Sequence, residues 1–289
     1  MSLLRSLELQ TYLPAEVIVV VDGSTDGTAD MLRGETFRFP AFHIIEQENG
    51  GRAQVRNRGV KKAGGSLLLF LDDDTHAIPQ LLERHQAFQE RHPGGFVTGG
   101  LQECVPPGAP DILHYRSFLS EKWNQPLKAL GDNPIPGNQA FLMGANCSVT
   151  KEVFDRLGGF DERLRDAEDF DLAKRAIATG VPLYYHYDAF VWHEDRITCS
   201  SYIKRLRQYA AAQQKLQLLK PEWYSATVGQ QSYRPAGWKA SFFKLFCQSF
   251  WVRAVDNNRF TWLPLSLRYR LYDWIITANG SFFPDKLLL

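Results

Sequence analysis

The spacing of apolar positions changes character along the chain. Glu16 to Val21 (EVIVVV) and Leu67 to Leu71 (LLLFL) are almost uniformly apolar and short, which predicts strands buried on both faces. Leu3, Leu4, Leu7 and Leu9 mark a short amphipathic helix. Thr25 to Arg33 reads as a second helix, with Ser24 or Thr25 as its cap. His43 to Glu46 is a short strand, and Arg52 to Ala63 is a helix stopped by Gly64-Gly65. Pro79 opens a helix that runs to about His92. Continuous apolar strands separated by helices predict a parallel sheet covered on both sides, an α/β fold of the doubly wound kind.

Residues 103–140 are rich in Pro and Gly around one helical stretch, Ile112 to Lys122. A strand-like Phe141 to Val149 follows, then helices near 151–157 and 168–179 and short strands at Leu183–His186 and Ala189–Trp192. From Ser200 the period is helical: Tyr202 to Leu219, Trp238 to Val255 and Leu265 to Thr277. The expected division is a domain over 1–198 and a helical section over 199–289.

Charge sharpens that division. Across all 289 residues, 33 basic side chains nearly balance 32 acidic ones, but the last 90 residues hold 13 basic and only 4 acidic. The same stretch carries 18 of the 37 aromatic residues and five of the seven Trp. A basic, aromatic section suits an anionic partner or a membrane surface; a helical subdomain with an aromatic core and a solvated basic face is the competing account. Cys104, Cys147, Cys199 and Cys247 form no C-x-x-C pair, which argues against a zinc site and a disulfide framework. A reducing cytoplasm is the expected compartment, with a peripheral position at the inner face of the membrane open to the tail. The longest aliphatic or aromatic run, Leu67 to Leu71, is far too short to cross a bilayer.

Two segments carry candidate chemistry. The apolar run ending at Leu71 continues into Asp72-Asp73-Asp74, and ligands of open α/β sheets bind at the carboxyl ends of strands. Residues two apart on a strand point the same way, so Asp72 and Asp74 are expected to face one ligand. Crowded carboxylates call for a cation, and a hard divalent ion that also takes diphosphate oxygens fits; a solvated acidic turn is the alternative. The second segment, Asp22-Gly23-Ser24-Thr25-Asp26-Gly27-Thr28, superficially resembles a calcium loop. Its closing Glu would fall on Arg33, and a strand rather than a helix precedes it, which excludes that reading. A Gly-containing turn entering a helix suits nucleotide contact, or serves as a plain strand–turn–helix connection.

Taken in order, EVIVVVDGSTDGT, RAQVRNRGV and LLLFLDDD resemble a family 2 glycosyltransferase of the GT-A fold. Gly158-Gly159-Phe160-Asp161-Glu162, Ala167-Glu168-Asp169-Phe170-Asp171-Leu172 and Trp192-His193 resemble that family's later motifs, and the likeness covers about residues 2–198. It implies a doubly wound mixed sheet with a helical C-terminal extension. It also implies an inverting transfer from a nucleotide-diphosphate sugar donor, with Mn²⁺ or Mg²⁺. Carried over by position, Asp22 would hydrogen-bond the nucleotide base and Arg52 would touch the nucleotide. Asp72 and Asp74 would be the D-x-D pair, Asp72 near the ribose and metal and Asp74 a direct metal ligand. Asp169 would be the general base, with Glu168 beside it on the substrate side, and His193 would reach the metal or the diphosphate. Chemistry supports Asp169 independently, because displacement at the anomeric carbon needs a carboxylate to accept the acceptor's proton, and a helix N-terminus keeps that carboxylate ionised. Gly144-Ala145-Asn146 would let the backbone approach the donor sugar.

The implied partners are the donor and a saccharide or lipid-linked acceptor, not a nucleic acid. Two readings from other classes stay open here: a non-catalytic sugar-nucleotide-binding protein, and a protein whose tail docks on a membrane. One departure stands out. The family begins with a strand and a Pro-containing loop, whereas this chain starts in the helix that follows them, so the slot beside Glu16–Val21 is expected to lack a partner. An upstream in-frame strand is the expectation.

Overall fold

The computed structural model describes residues 1–223 and 235–283. Helix α1 (Ser2–Leu7) precedes β1 (Val17–Asp22), α2 (Thr28–Gly34), β2 (Phe42–Gln47), α3 (Arg52–Lys62), β3 (Leu67–Leu71) and β4 (Thr75–Ala77). Next come α4 (Leu81–Arg91), β5 (Phe96–Glu103), α5 (Asp111–Lys128), β6 (Asn146–Thr150), α6 (Lys151–Arg156), α7 (Glu168–Ala178) and β7 (Leu183–His193). Helices α8 (Cys199–Leu219), α9 (Gly237–Leu245), α10 (Ser249–Asp256) and α11 (Leu265–Thr277) follow. The chain forms two compact units, one from residues 1–102 and 121–194, the other from 103–120 and 195–289.

In the first unit β1 and β2 pair in parallel, Val17 opposite Phe42. The remaining strands form a second sheet in the order β3-β6-β5-β7-β4, in which β6 runs antiparallel to both β3 and β5, and β4 antiparallel to β7. The all-parallel arrangement read from the apolar runs therefore fails at β6 and β4, and the sheet is mixed, as the resemblance implies. The reason is visible in β3, which lies between two apolar clusters. Leu68 and Phe70 face one, built on Val60, Cys147, Phe154 and Leu172; Leu69 and Leu71 face the other, with Leu4, Leu7 and Leu81. Double-sided burial makes a strand uniformly apolar whichever way its neighbours run. Among the described residues β1 pairs with β2 alone and β3 with β6 alone, and Val17 to Val20 stay half-buried.

Several boundaries differ from expectation for local reasons. Helix α2 starts at Thr28, not Thr25, because Asp26 turns the chain ahead of the cap residue Gly27: Asp26 Oδ1 accepts from the Thr28 N–H at 3.0 Å and from the Ser24 and Thr28 hydroxyls. Residues 141–145 are not strand; only Asn146 onward pairs. The two short strands expected at 183–192 are one, because β7 is held on both sides by β5 and β4.

The second unit packs Tyr115, Ile203, Val255, Tyr272 and Ile275 into one core. The single helix expected over 238–255 is broken between α9 and α10. Phe246 and Cys247 turn inward at the break, and the Trp251 indole N–H bonds the freed Leu245 carbonyl at 2.8 Å. No helix among the described residues is long and apolar enough to cross a membrane.

Candidate active site

Strand β3 stops at Leu71 and the chain turns at once, with the Thr75 N–H and hydroxyl both donating to the Asp72 carbonyl at 3.2 and 2.7 Å. The expectation that Asp72 and Asp74 share a face needs an extended chain through residue 74, and the turn removes it. Asp72 Oδ1 instead accepts from Arg56 Nη2 at 2.8 Å. Asp74 Oδ2 lies 3.3 Å from His193 Nε2, brought there because Thr75 stands opposite His193 in the β4–β7 ladder. One tight turn thus sends its two ends to two different clusters.

Arg56 is the centre of the first. It stands one helical turn after Arg52 on α3, and its side chain is only 11% exposed. Besides Asp72 it donates through Nη1 to Glu168 Oε1 at 2.5 Å, and its guanidinium lies over the Phe160 ring, 5.5 Å from the centroid. A Cβ on Gly144 would come within 2.6 Å of Arg56 Cζ. That glycine, read from the sequence as room for a sugar, is required here by the guanidinium.

Helix α7 delivers the second half of the cluster. Ala167 precedes it at φ 65°, a left-handed conformation that costs a non-glycine residue roughly 1 kcal/mol and is found where the surroundings impose it. Glu168, 3% exposed at its side chain, and Asp169 occupy the first turn. The Phe170 N–H donates to Asp169 Oδ1 at 2.7 Å, and the Gly144 N–H also bonds this carboxylate. Burial pushes both carboxyls above the ordinary range, with the neighbouring Asp169 charge adding to the effect on Glu168 and Arg56 opposing it on each. A carboxyl whose proton affinity is raised in this way is well suited to take a proton.

The turn over Phe160 is locked from two sides. Asn57 accepts from the Phe160 N–H at 3.0 Å and donates to the Phe160 carbonyl at 2.9 Å. Arg175, paired with the buried Asp171 at 2.8 Å, donates to the carbonyls of Leu157 and Gly159. The family-like R-N and D-L elements are therefore braces for the site's wall.

Asp22 sits at the end of β1. Burial works against its charge, but donation from the Gly50 N–H (2.8 Å), Gln47 Nε2 (2.8 Å) and the Gly51 N–H (2.9 Å) outweighs it and holds the carboxyl below its usual range. Arg52 opens α3 just beyond this loop, with Nη1 3.5 Å from Asp166 Oδ1 and the side chain open to solvent. Below the site, His85 Nε2 donates to Asn146 Oδ1 at 2.9 Å and its Nδ1 faces the Ser148 hydroxyl at 2.9 Å. That tautomer follows from Asn146, whose amide nitrogen is committed to the carbonyls of Gly100 and Ala189. Burial pushes the His85 imidazole down to about 4.

The structure thus joins Asp72 and Glu168 through Arg56, with Asp169 next to Glu168 in the first turn of α7, sets Asp74 against His193, and ties Asp22 to the loop that leads into Arg52. Arg56 is the residue the sequence reading passed over. Its one signal was the four-residue spacing from Arg52, which any solvated helix face shows as often. Among the described residues no three His, Cys, Asp or Glu side chains form a ready-made metal cage. Asp74 and His193 offer two adjacent oxygen and nitrogen donors, a set that suits an ion completed by phosphate oxygens and water.

The chain matches the model of glycosyl transferase family 2 over residues 2–158, and it belongs to that family. Its fold is of the GT-A type. It aligns with the mannosyltransferase PcManGT from Pyrobaculum calidifontis at a TM-score of 0.55 and 19% identity, over 96% of this chain and 81% of that one. S. aureus TarS 1-349 in complex with UDP aligns at a TM-score of 0.52 and 19% identity, over 100% and 88%. In sequence it is 28% identical over 196 residues to the glycosyltransferase AglE of Haloferax volcanii, covering 67% of this chain and 62% of that protein. It is also 30% identical over 207 residues to the validoxylamine A glucosyltransferase of Streptomyces hygroscopicus subsp. limoneus, covering 62% and 45%. The chain therefore spans less than two thirds of these relatives' lengths.

Proposed function

We propose that this chain transfers a sugar from a nucleotide-diphosphate donor to an acceptor hydroxyl, with inversion at the anomeric carbon, in polysaccharide or glycoconjugate synthesis. The observation that carries this reading is the Arg56 bridge, which joins the carboxylates of Asp72 and Glu168 at the end of β3, beside Asp169. A carboxyl raised by burial and held by a neighbouring cation is what a general base needs and what a solvated acidic turn lacks. The names of the neighbours support the donor class: TarS is described with UDP-GlcNAc, and PcManGT with GDP-Man and Mn²⁺.

In this reading Asp169 takes the proton of the acceptor hydroxyl as its oxygen bonds to C1. The bond from C1 to the diphosphate oxygen breaks on the opposite face, and the electron pair departs with the nucleoside diphosphate. Asp74 and His193 would hold a divalent cation, Mn²⁺ or Mg²⁺, which supplies positive charge for the leaving diphosphate. Asp72, engaged by Arg56, serves the ribose side, and Asp22 with Arg52 serves the base and nucleotide. Arg56 keeps Glu168 and Asp72 in place and restrains the rise of the Asp169 carboxyl. The acceptor is a saccharide or a lipid-linked saccharide, and the expected setting is the cytoplasm, at the inner face of the membrane when the acceptor is lipid-linked.

Incubating the full chain with UDP-, GDP- and dTDP-sugars, with and without Mn²⁺, tests the proposal through nucleoside diphosphate release and thermal shift. Metal-dependent stabilisation by one donor class, with slow release of its diphosphate, is expected. Neither response with any donor would overturn the reading.

A further inference from the structure

The second unit carries a surface that the transfer chemistry leaves unused. Between residues 235 and 283, Trp238, Phe250 and Trp262 are 74%, 65% and 77% exposed, and Leu245, Leu265 and Leu267 are exposed as well. Soluble proteins rarely leave so many large apolar side chains open within one short stretch. Their placement is connected. Trp238 and Leu245 stand two turns apart on α9 and so share a helix face. The bond from Trp251 to the Leu245 carbonyl brings the start of α10 to the end of α9, and the Phe250 ring lies 5.5 Å from that of Trp251. Phe250 then lines a shallow cavity of about 230 Å³ together with Arg253, Asn257 and Arg259. Trp262 follows in the same turn, which Arg268 Nη1 fastens by bonding the Thr261 carbonyl at 2.9 Å.

The charges of this stretch are sorted. Its acidic side chains are two and both are engaged: half-buried Asp256 accepts from the backbone of Cys199 at 2.5 Å and of Ser200 at 3.4 Å, and exposed Asp273 accepts from the Tyr115 hydroxyl. Lys239, Lys244, Arg253, Arg259 and Arg270 are exposed. The outward field is thus positive, with tryptophan and phenylalanine set among the cations.

Trp is amphipathic and settles at the boundary of headgroups and acyl chains, while Lys and Arg meet lipid phosphates above it. We propose that this face, Trp238–Leu245–Phe250–Trp262 with Arg253 and Arg259, docks the protein on an anionic phospholipid bilayer. The aromatic rings enter the interface, and the two arginines that share the cavity take lipid phosphates. This specifies the surface behind the membrane-face setting proposed above, and it is measured without donor or acceptor, so its failure leaves the transferase reading standing.

Flotation with vesicles of phosphatidylcholine alone, or containing about one third phosphatidylglycerol, tests it. The full chain should bind the anionic vesicles, release at 0.5 M salt to a small residue, and ignore the neutral ones. Arg253→Glu with Arg259→Glu should weaken binding at least tenfold. Trp238→Ser with Trp262→Ser should weaken it at low salt and abolish the salt-resistant residue. Both pairs are exposed, so unchanged melting and unchanged nucleotide binding verify the fold. Equal binding by wild type and both variants would overturn the proposal, as would no binding to anionic vesicles. It would also fall if light scattering showed a dimer that Trp262→Ser dissolves, because the face would then be covered by a second copy.

Discussion

Asp72 and Asp74 are separated by one residue, yet they join different partners. On the Asp72 side the groups are closed in: Arg56 and Glu168 are buried, ion-paired to each other, and wedged against Gly144 and Phe160. On the Asp74 side the pair with His193 is looser, longer at 3.3 Å, and half open through the aspartate. The closed side is expensive to disturb, and the proposed proton transfer belongs to it. In the proposed reading the more open side receives the ion and its phosphates. One acidic tripeptide therefore sends its first and last side chains to different partners, divided by the tight turn at Thr75.

The sharpest break in that comparison is Asp169→Asn. Transfer should fall by about 10²–10⁴-fold while donor affinity stays within about twofold, since Asn Oδ1 can still accept the Phe170 N–H. Near wild-type turnover would remove Asp169 from the base role. The same variant has a thermodynamic signature. Burial raises the Asp169 carboxyl, so its charged form is disfavoured in the folded state, and the stability present at low pH is lost as pH rises through the raised value. Asp169→Asn should accordingly melt higher than wild type at neutral pH, with the gain vanishing below the ordinary carboxylate range.

Arg56→Met attacks the closed side by leaving Glu168 buried without its cation. Removing one partner of a buried pair costs about 3–5 kcal/mol, and chemical denaturation at neutral pH should show a loss of that order. The deficit should shrink on acidification as Glu168 takes up a proton, and adding Glu168→Gln should recover part of it. A loss that ignores pH would mean that packing on Phe160, not charge, is what Arg56 supplies.

His85, in the floor beneath, responds with the opposite sign. Its imidazole is pushed down to about 4 from 6.5, so stability is present above 6.5 and is lost as pH falls toward 4, by roughly 3 kcal/mol. Denaturation of His85→Gln at pH 7, 5.5 and 4.5 should lack most of that slope. An unchanged slope would place the acid sensitivity elsewhere.

The smallest effect belongs to the open side. Asp74→Ala and His193→Ala should each weaken Mn²⁺-dependent nucleotide binding by about tenfold, and leave metal-free binding and melting almost unchanged. Equal losses with and without metal would assign the pair to structure.

Much of this molecule was legible in its residues. The apolar runs at 17–21 and 67–71, the D-G-S-x-D-G-T turn, the acidic tripeptide and the E-D-x-D-L helix are local signals, and they suffice for the family and the fold type. The helix that carries Glu168 and Asp169, and the basic bias of the last 90 residues, were equally plain. What the sequence could not carry is direction and company. Apolar periodicity reports how many faces of a strand are buried, not which way its neighbour runs, so β6 antiparallel to β3 was hidden. Strand alternation holds only while the chain stays extended, so the turn at Thr75 alone decided that Asp72 and Asp74 part. Arg56 acquired its role from residues 16 and 112 positions away, which packing brings together and no short motif records. The break between α9 and α10 was likewise settled by the core, which draws in Phe246 and Cys247 where helical period alone would have run on. Local chemistry determined which residues could act, and long-range packing decided which of them meet.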